Sequence, residues 1–245
     1  MNPRLYRPRL AAGPLALEGA DFRYLGRVLR LRAGAPVTLF DGAGGEADAR
    51  VAHVHGERGL IELAVDAPRA AAEGAARRSI TLILALLKGE KMDLVVQKAT
   101  ELGVARLAPV AAARSVVRLD EGRGAGRVAR WQKIAREAAR QCGRADVPAV
   151  DPVVPLPLAL EAAPPAAWRA VLDPGAAALR TALPAAPPRA AVIAVGPEGG
   201  LAPDEVAAAA AAGFAPVGFG RRVLRAETAA IAAIACLAFA FGDLD

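Results

Sequence analysis

The sequence predicts an α/β chain in which a small β-rich unit precedes a larger domain built on a mostly parallel sheet. Three observations carry that prediction. Short segments of alternating polarity fill residues 1 to 70, continuous apolar runs alternate with helical patterns from Ser79 onward, and a stretch with neither pattern lies between them.

In the first region Val37 to Phe40 reads as a short apolar strand, and Asp41-Gly42-Ala43-Gly44-Gly45 is turn chemistry. Ala47 to Val54 and Gly59 to Val65 alternate as two further strands, which suits a small barrel. Pro68 to Arg78, rich in Ala, reads as a linker, so the expected domains are residues 1–72 and 77–245. Ser79 to Leu87 is apolar throughout, as expected of a strand buried on both faces. A helix from Glu90 to Leu102 follows, ended by Gly103, and then a strand at Leu107 to Val110. The helix from Gly126 to Cys142 carries Val128, Trp131, Ile134, Ala135, Ala138 and Cys142 on one stripe, with Arg130, Lys133, Arg140 and Arg144 opposite. Strands at Ala191 to Val195 and Pro216 to Phe219 and a last helix over Thr228 to Phe241 complete the pattern. The Pro-rich segments Pro152 to Pro157 and Pro184 to Pro188 read as surface connections.

With 54% hydrophobic and 23% charged residues among 245, the chain has enough apolar surface to bury a core and lacks the signature of disorder. The run Thr228 to Phe241 is shorter than the roughly 20 residues a membrane span needs. No segment joins a basic start, an apolar stretch and a small-residue cleavage site, so a cytoplasmic location is expected and no membrane partner. Cys142 and Cys236 form no CxxC pair and are expected to be core thiols. His53 and His55 lie two apart on a strand, but without a third ligand they predict no metal.

The net charge of +6 is unevenly spread. Residues 1–76 hold 10 basic and 9 acidic side chains, residues 77–150 hold 15 and 7, and residues 151–245 hold 6 and 9. A middle third at +8 beside an end at −3 points to a polyanion docked on one surface, although a solvated basic face has the same composition.

Two segments carry chemistry. The strand ending at Val195 runs into Gly196-Pro197-Glu198-Gly199-Gly200, and glycines at the carboxyl end of a buried strand let a ligand approach backbone. This is not the GxGxxG fingerprint, since Pro197 removes a backbone donor. The plainer alternative is a tight turn into a helix that has Pro203 near its first position. The second segment, Phe219-Gly220-Arg221-Arg222-Val223-Leu224-Arg225-Ala226-Glu227-Thr228, places three arginines in a loop ahead of an apolar helix. Solubility alone does not require that many.

Taken in order, Lys88-Gly89-Glu90-Lys91-Met92-Asp93, Gln97 to Val104, Gln141-Cys142-Gly143-Arg144, GPEGGL and GRRVLRAETAA resemble the RsmE family of 16S ribosomal RNA uracil-N3 methyltransferases, in the SPOUT superfamily. Arg27-Val28-Leu29-Arg30 and Phe40-Asp41-Gly42 resemble that family's start. The resemblance implies a PUA-like RNA-binding β-barrel over residues 1–72 and a SPOUT α/β-knot domain with a trefoil knot over 77–245, working as a homodimer on 16S ribosomal RNA or the small ribosomal subunit. It implies an S-adenosylmethionine site at Leu172, Pro174, Gly196, Pro197, Glu198, Gly199, Gly200, Phe219, Gly220, Val223, Leu224, Arg225 and Thr228. The chemistry needs in-line positioning and loss of the uracil N3 proton, and no metal. Arg225 is the candidate for stabilising charge on the uracil carbonyls, and Glu227 or Glu101 for polar positioning or proton acceptance. Glu90, Gln97 and Glu101 share a helix face with Leu94 and are either site-lining or ordinary surface residues. Candidate RNA contacts are Arg27, Arg30, Lys88, Lys91, Arg130, Lys133, Arg140 and Arg144. One departure is Ala202-Pro203, where relatives commonly carry a capping Ser. A non-catalytic RNA-binding assembly protein is the main alternative, but it leaves both loops without a purpose. A nucleotide-dependent doubly wound enzyme lacks its Walker or dinucleotide pattern.

Overall fold

The computed structural model describes residues 2–71, 78–115 and 124–244. They divide into two units, Met1–Ala76 with Ala139–Val147, and Arg77–Ala138 with Pro148–Asp245. A single cut near residues 72 to 77 therefore misses Ala139–Val147. This segment joins the first unit because its backbone and side chains are used there. Arg4 donates to the Arg144 carbonyl at 3.1 Å, Val147 N–H donates to the Gly42 carbonyl, and Phe40, Ala139 and Ala145 are buried together.

The first unit contains β1 (Arg4–Tyr6), β2 (Gly13–Leu17), α1 (Gly19–Phe22) running into a π-helical stretch (Arg23–Val28), β3 (Pro36–Phe40), β4 (Gly45–His55), β5 (Leu60–Val65) and β6 (Arg69–Ala70). The strand order is β1-β3-β4-β5-β2, with β6 on β4; only the β1–β3 pairing is parallel. Alternation is clear on β4 and β5, where Ala47, Ala49, Val51, Ile61, Leu63 and Val65 turn inward to meet Leu5, Leu17, Phe22 and Leu25. Part of the expected linker is thus a strand. Arg69 fixes it by pairing with Glu46 at 3.0 Å and Asp48 at 3.1 Å. The ladder shifts register between Val51 and His53, and among the described residues no group of three or more His, Cys, Asp or Glu is placed to hold a metal.

The second unit contains β7 (Ser79–Ala85), α2 (Lys91–Glu101), β8 (Arg106–Ala111), α3 (Gly124–Cys142, whose last residues belong to the first unit), β9 (Ala149–Val150), β10 (Val154–Pro155), α4 (Leu156–Glu161), β11 (Trp168–Leu172), α5 (Leu179–Ala182), β12 (Ala190–Val195), α6 (Pro203–Ala211), β13 (Ala215–Val217) and α7 (Ala226–Phe241). Its sheet runs β10-β8-β7-β12-β11-β13, with β9 on β8, and every pairing is parallel. Ile83, Ala85, Val192 and Ala194 face α4 and α6. Alternation sends Leu82 and Leu84, both fully buried, to the opposite face, where α2 and α7 pack together.

Two expectations need correction. The proline-rich Pro152 to Pro157 is not merely a connection. It forms β10 and opens α4, because proline is tolerated in a helix's first turn, and Leu156 and Leu160 then enter the core. Neither cysteine is a core thiol: Cys142 is half-buried, and Cys236 lies further out. It is exposed on α7, together with Thr228 and Phe239, on the face that neither the sheet nor α2 covers. Among the described residues no helix is long and apolar enough to cross a membrane.

Candidate active site

The carboxyl ends of β11 and β12 open onto a cavity of about 850 Å³. This is where open parallel sheets bind ligands. Its walls come from three loops. Leu172, Asp173 and Pro174 follow β11, Gly196 to Leu201 follow β12, and Val223, Leu224 and Arg225 precede α7; Arg114, beyond β8, closes another side. The loops after β11 and β13 are laced backbone to backbone. Gly218 N–H donates to the Ala177 carbonyl at 2.7 Å, and Leu179 N–H donates to the Gly218 carbonyl at 2.8 Å. Only glycine fits at 218, since a Cβ there would stand 2.9 Å from the Asp173 carbonyl oxygen and 3.0 Å from that of Ala176.

The glycine-rich loop is held from several directions. Gly200 N–H donates to the Pro197 carbonyl at 2.9 Å, closing a turn. Glu198 Oε1 accepts from Lys91 Nζ at 3.1 Å and from Lys88 N–H at 3.3 Å. Arg114 donates to the Gly199 carbonyl at 3.1 Å. Buried Glu205 supplies the reverse half of a capping box, while Ala202 offers no side-chain cap of its own. One carboxylate oxygen accepts Ala202 N–H at 2.9 Å, and the other accepts Ala113 N–H at 2.7 Å, which binds α6 to the turn after β8. Burial raises the proton affinity of the Glu198 carboxyl, but hydrogen bonds from its own backbone, Lys91 and Lys88 outweigh this and hold it below the usual carboxylate value. The hydrogen bond to Glu198 is the main cause that raises Lys91 above the usual lysine value; partial desolvation opposes it.

Of the residues expected at the cofactor, Leu172, Pro174, Gly196, Pro197, Glu198, Gly199, Gly200, Val223, Leu224 and Arg225 line this one cavity. Phe219 instead lines a smaller adjoining pocket, and neither Gly220 nor the exposed Thr228 is among the lining residues of either. Arg114 was invisible in the sequence, having no local motif; only the sheet order brings it to Gly199, 85 residues away.

The polar candidates separate. Arg225 is exposed at the cavity, whereas Glu227 is 8% exposed and faces Lys91, with Oε2 3.4 Å from Nζ. Glu101 sits at the other end of α2, about 15 Å of helix from Lys91, paired with Lys98 at 2.8 Å and outside the cavity lining. Among the RNA candidates, Lys88, Lys133, Arg27 and Arg30 are exposed. Arg30 holds φ 52°, the one non-glycine residue with positive φ among those described. Arg130 is exposed but pairs with Asp93 through two nitrogens, and Arg140 lies over the Tyr24 ring at 4.3 Å. Arg144 is a correction. It is 4% exposed and engaged by Asp146, because Gly143, at φ 93°, ends the helical course that would have carried it onto the basic face. Lys91 is one-third exposed and pairs with the carboxylates of Glu198 and Glu227.

A family model described as an RNA methyltransferase domain matches residues 75–238, and one described as an RNA methyltransferase PUA domain matches residues 17–63. These matches define an RNA methyltransferase that carries a PUA domain, in agreement with the two-unit fold. Ribosomal RNA small subunit methyltransferase E from Mycobacterium bovis is 34% identical over 222 residues, covering 89% of this chain and 83% of the relative. The structure of the Neisseria gonorrhoeae protein of that name, bound to S-adenosyl methionine, is 37% identical with a TM-score of 0.89 over the whole of both chains. A Legionella pneumophila methyltransferase, in complex with the same cofactor, is 31% identical with a TM-score of 0.87 over 98% of each. The chain belongs to the ribosomal RNA small subunit methyltransferase E family.

Proposed function

We propose that this protein transfers a methyl group from S-adenosylmethionine to N3 of a uridine in 16S ribosomal RNA. The observation that carries the reading is the gathering of the GPEGG and VLR segments around one cavity, together with membership of the family. The cavity's residues fit the cofactor. Leu172, Val195, Leu201, Val206 and Leu224 offer apolar walls for an adenine, the Gly196–Gly200 backbone offers polar contacts at close range, and Asp173 and Glu198 are anions suited to cationic groups. When bound, S-adenosylmethionine supplies an electrophilic methyl group on a sulfonium.

The chain's own residues then have three tasks. They hold the base in line, stabilise the imide anion and take its proton away. Arg225, exposed at the cavity, is the proposed partner of the uracil carbonyls. Of the two carboxylate candidates, position favours Glu227, which follows directly on the lining residues Arg225 and Ala226; Glu101 is left with a structural pairing. The first unit and the exposed Lys88 and Lys133 are the proposed RNA contacts, with catalysis carried by the second unit, over residues 77–245 apart from the segment that joins the first. A trefoil knot in that unit is part of the same proposal and rests on membership of the family.

The protein is proposed to work in the cytoplasm as a homodimer. In support, α7 presents Phe239, 70% exposed, beside Cys236 on a face without cover. Sedimentation should give a dimer at micromolar concentration, and a persistent folded monomer would remove that part of the reading. Nucleoside mass spectrometry of 16S RNA tests the reaction itself. Cells lacking the protein should lose one N3-methyluridine, and its persistence at full level would overturn the assignment.

A further inference from the structure

Lys91 opens α2, where the helix dipole disfavours a cation. Its ammonium is nevertheless held there between two carboxylates from distant parts of the chain, Glu198 Oε1 at 3.1 Å on the glycine-rich loop and Glu227 Oε2 at 3.4 Å in the first turn of α7. Glu227 is buried, and its Oε2 accepts no hydrogen bond among the described residues, so the ammonium is the neighbouring charge that offsets it. Without Lys91, two anions would face each other across the gap between a loop and a helix start that both line the cavity.

We propose that Lys91 is a positioning residue for the cofactor site, tying the glycine-rich loop to the start of α7, and is not an RNA contact. The inference rests on the reading of the cavity as the S-adenosylmethionine site. The raised proton affinity of Lys91 and the lowered one of Glu198 agree with the geometry. A phosphate reaching the exposed side of the ammonium would meet a charge already balanced by two carboxylates, so little electrostatic gain is left for it.

The test uses the full-length protein and three variants, Lys91→Met, Lys91→Arg and Glu198→Gln, plus the Lys91→Met/Glu198→Gln double variant. It measures S-adenosylmethionine binding by calorimetry and RNA binding against salt. Lys91→Met should weaken cofactor binding by about tenfold, and Lys91→Arg should restore most of it. The double variant should bind no more weakly than Lys91→Met, as expected of two groups acting through one contact. The RNA salt slope should not change. Wild-type cofactor affinity in Lys91→Met, or a salt slope smaller by about one unit with cofactor affinity intact, would overturn the proposal and return Lys91 to the RNA. Wild-type protein that takes up no cofactor would overturn the cavity reading itself, and the inference with it.

Discussion

Two loops border the same cavity and differ in how their charge is used. On the loop from Gly196 to Leu201, Glu198 is clamped by Lys88 and Lys91, and Gly199 is held by Arg114. On the loop from Gly220 to Arg225, Arg221, Arg222 and Arg225 are exposed, and no hydrogen bond or ion pair of their side chains is found among the described residues; Val223 between them is 79% exposed. Side-chain entropy and desolvation have already been met in the first loop and remain to be met in the second. The first is thus a formed wall, suited to a small molecule. The second leaves its guanidinium donors exposed to solvent and uncommitted.

The largest expected effect breaks the comparison if it falls on the wrong ligand. Arg225→Ala should lower kcat by about 10²–10³, the usual cost of removing a donor aimed at developing charge. S-adenosylmethionine affinity should change by less than about threefold, or about 0.6 kcal/mol. Single-turnover kinetics beside cofactor calorimetry separates the two quantities. A parallel loss of cofactor affinity would make Arg225 part of the formed wall.

Gly199→Val tests the other loop. A Cβ at 199 would meet Arg114 Cβ at 3.3 Å, and valine adds two methyl groups beyond it. The loop or Arg114 must shift to admit them and the added methyl groups crowd the cavity wall, so cofactor binding should weaken about tenfold while RNA affinity holds. Calorimetry on protein with wild-type circular dichroism checks it, and unchanged cofactor affinity would mean that the loop is not a wall of the site.

The same contrast explains what could be read in advance. β12 and its glycine loop were legible because a buried strand is apolar throughout and the glycines follow directly. β11 was not, because it opens with Trp168-Arg169, and Arg169 is occupied by the carbonyls of Ala212 and Pro164, a use that no local pattern announces. The helical face of α3 was legible as far as helical spacing holds, and failed at Arg144, one residue past Gly143. Charge is visible in sequence and its partner is not. Lys91, Arg130 and Arg144 looked free, and each is engaged by a carboxylate brought close by folding.

That distinction gives a paired prediction for the basic segment. Lys133 is exposed with no partner found among the described residues, so Lys133→Ala should reduce the RNA salt slope by about one unit and leave stability unchanged. Arg144→Ala should do the reverse, costing about 2 kcal/mol of stability through the loss of a buried guanidinium paired with Asp146. Denaturant titration and salt-dependent RNA binding on both variants suffice. A slope change from Arg144 alone would invalidate the division into used and unused charge.

The smallest effect concerns acid, and its sign follows from the clamp on Glu198. Because hydrogen bonds lower the folded proton affinity of this carboxyl from its usual 4.5, ionised Glu198 favours the folded state at every pH above that value. The contribution is lost as pH falls below 4.5 and through the still lower folded value, where the folded state must also take up the proton. Lys91 acts in the opposite range. Its raised value keeps its contribution fully present below 10.5 and removes it only as pH climbs past that point. Between these limits the clamp is intact, so the difference in thermal midpoint between wild type and Glu198→Gln should be flat from roughly pH 6 to 9 and shrink on acidification below 4.5. Both partners are partly exposed, so the difference should be small and should diminish further with added salt. Thermal melts of the two proteins across this range decide it. A difference that persists undiminished in acid would mean that the Glu198 side chain supports its loop by shape alone and not by charge.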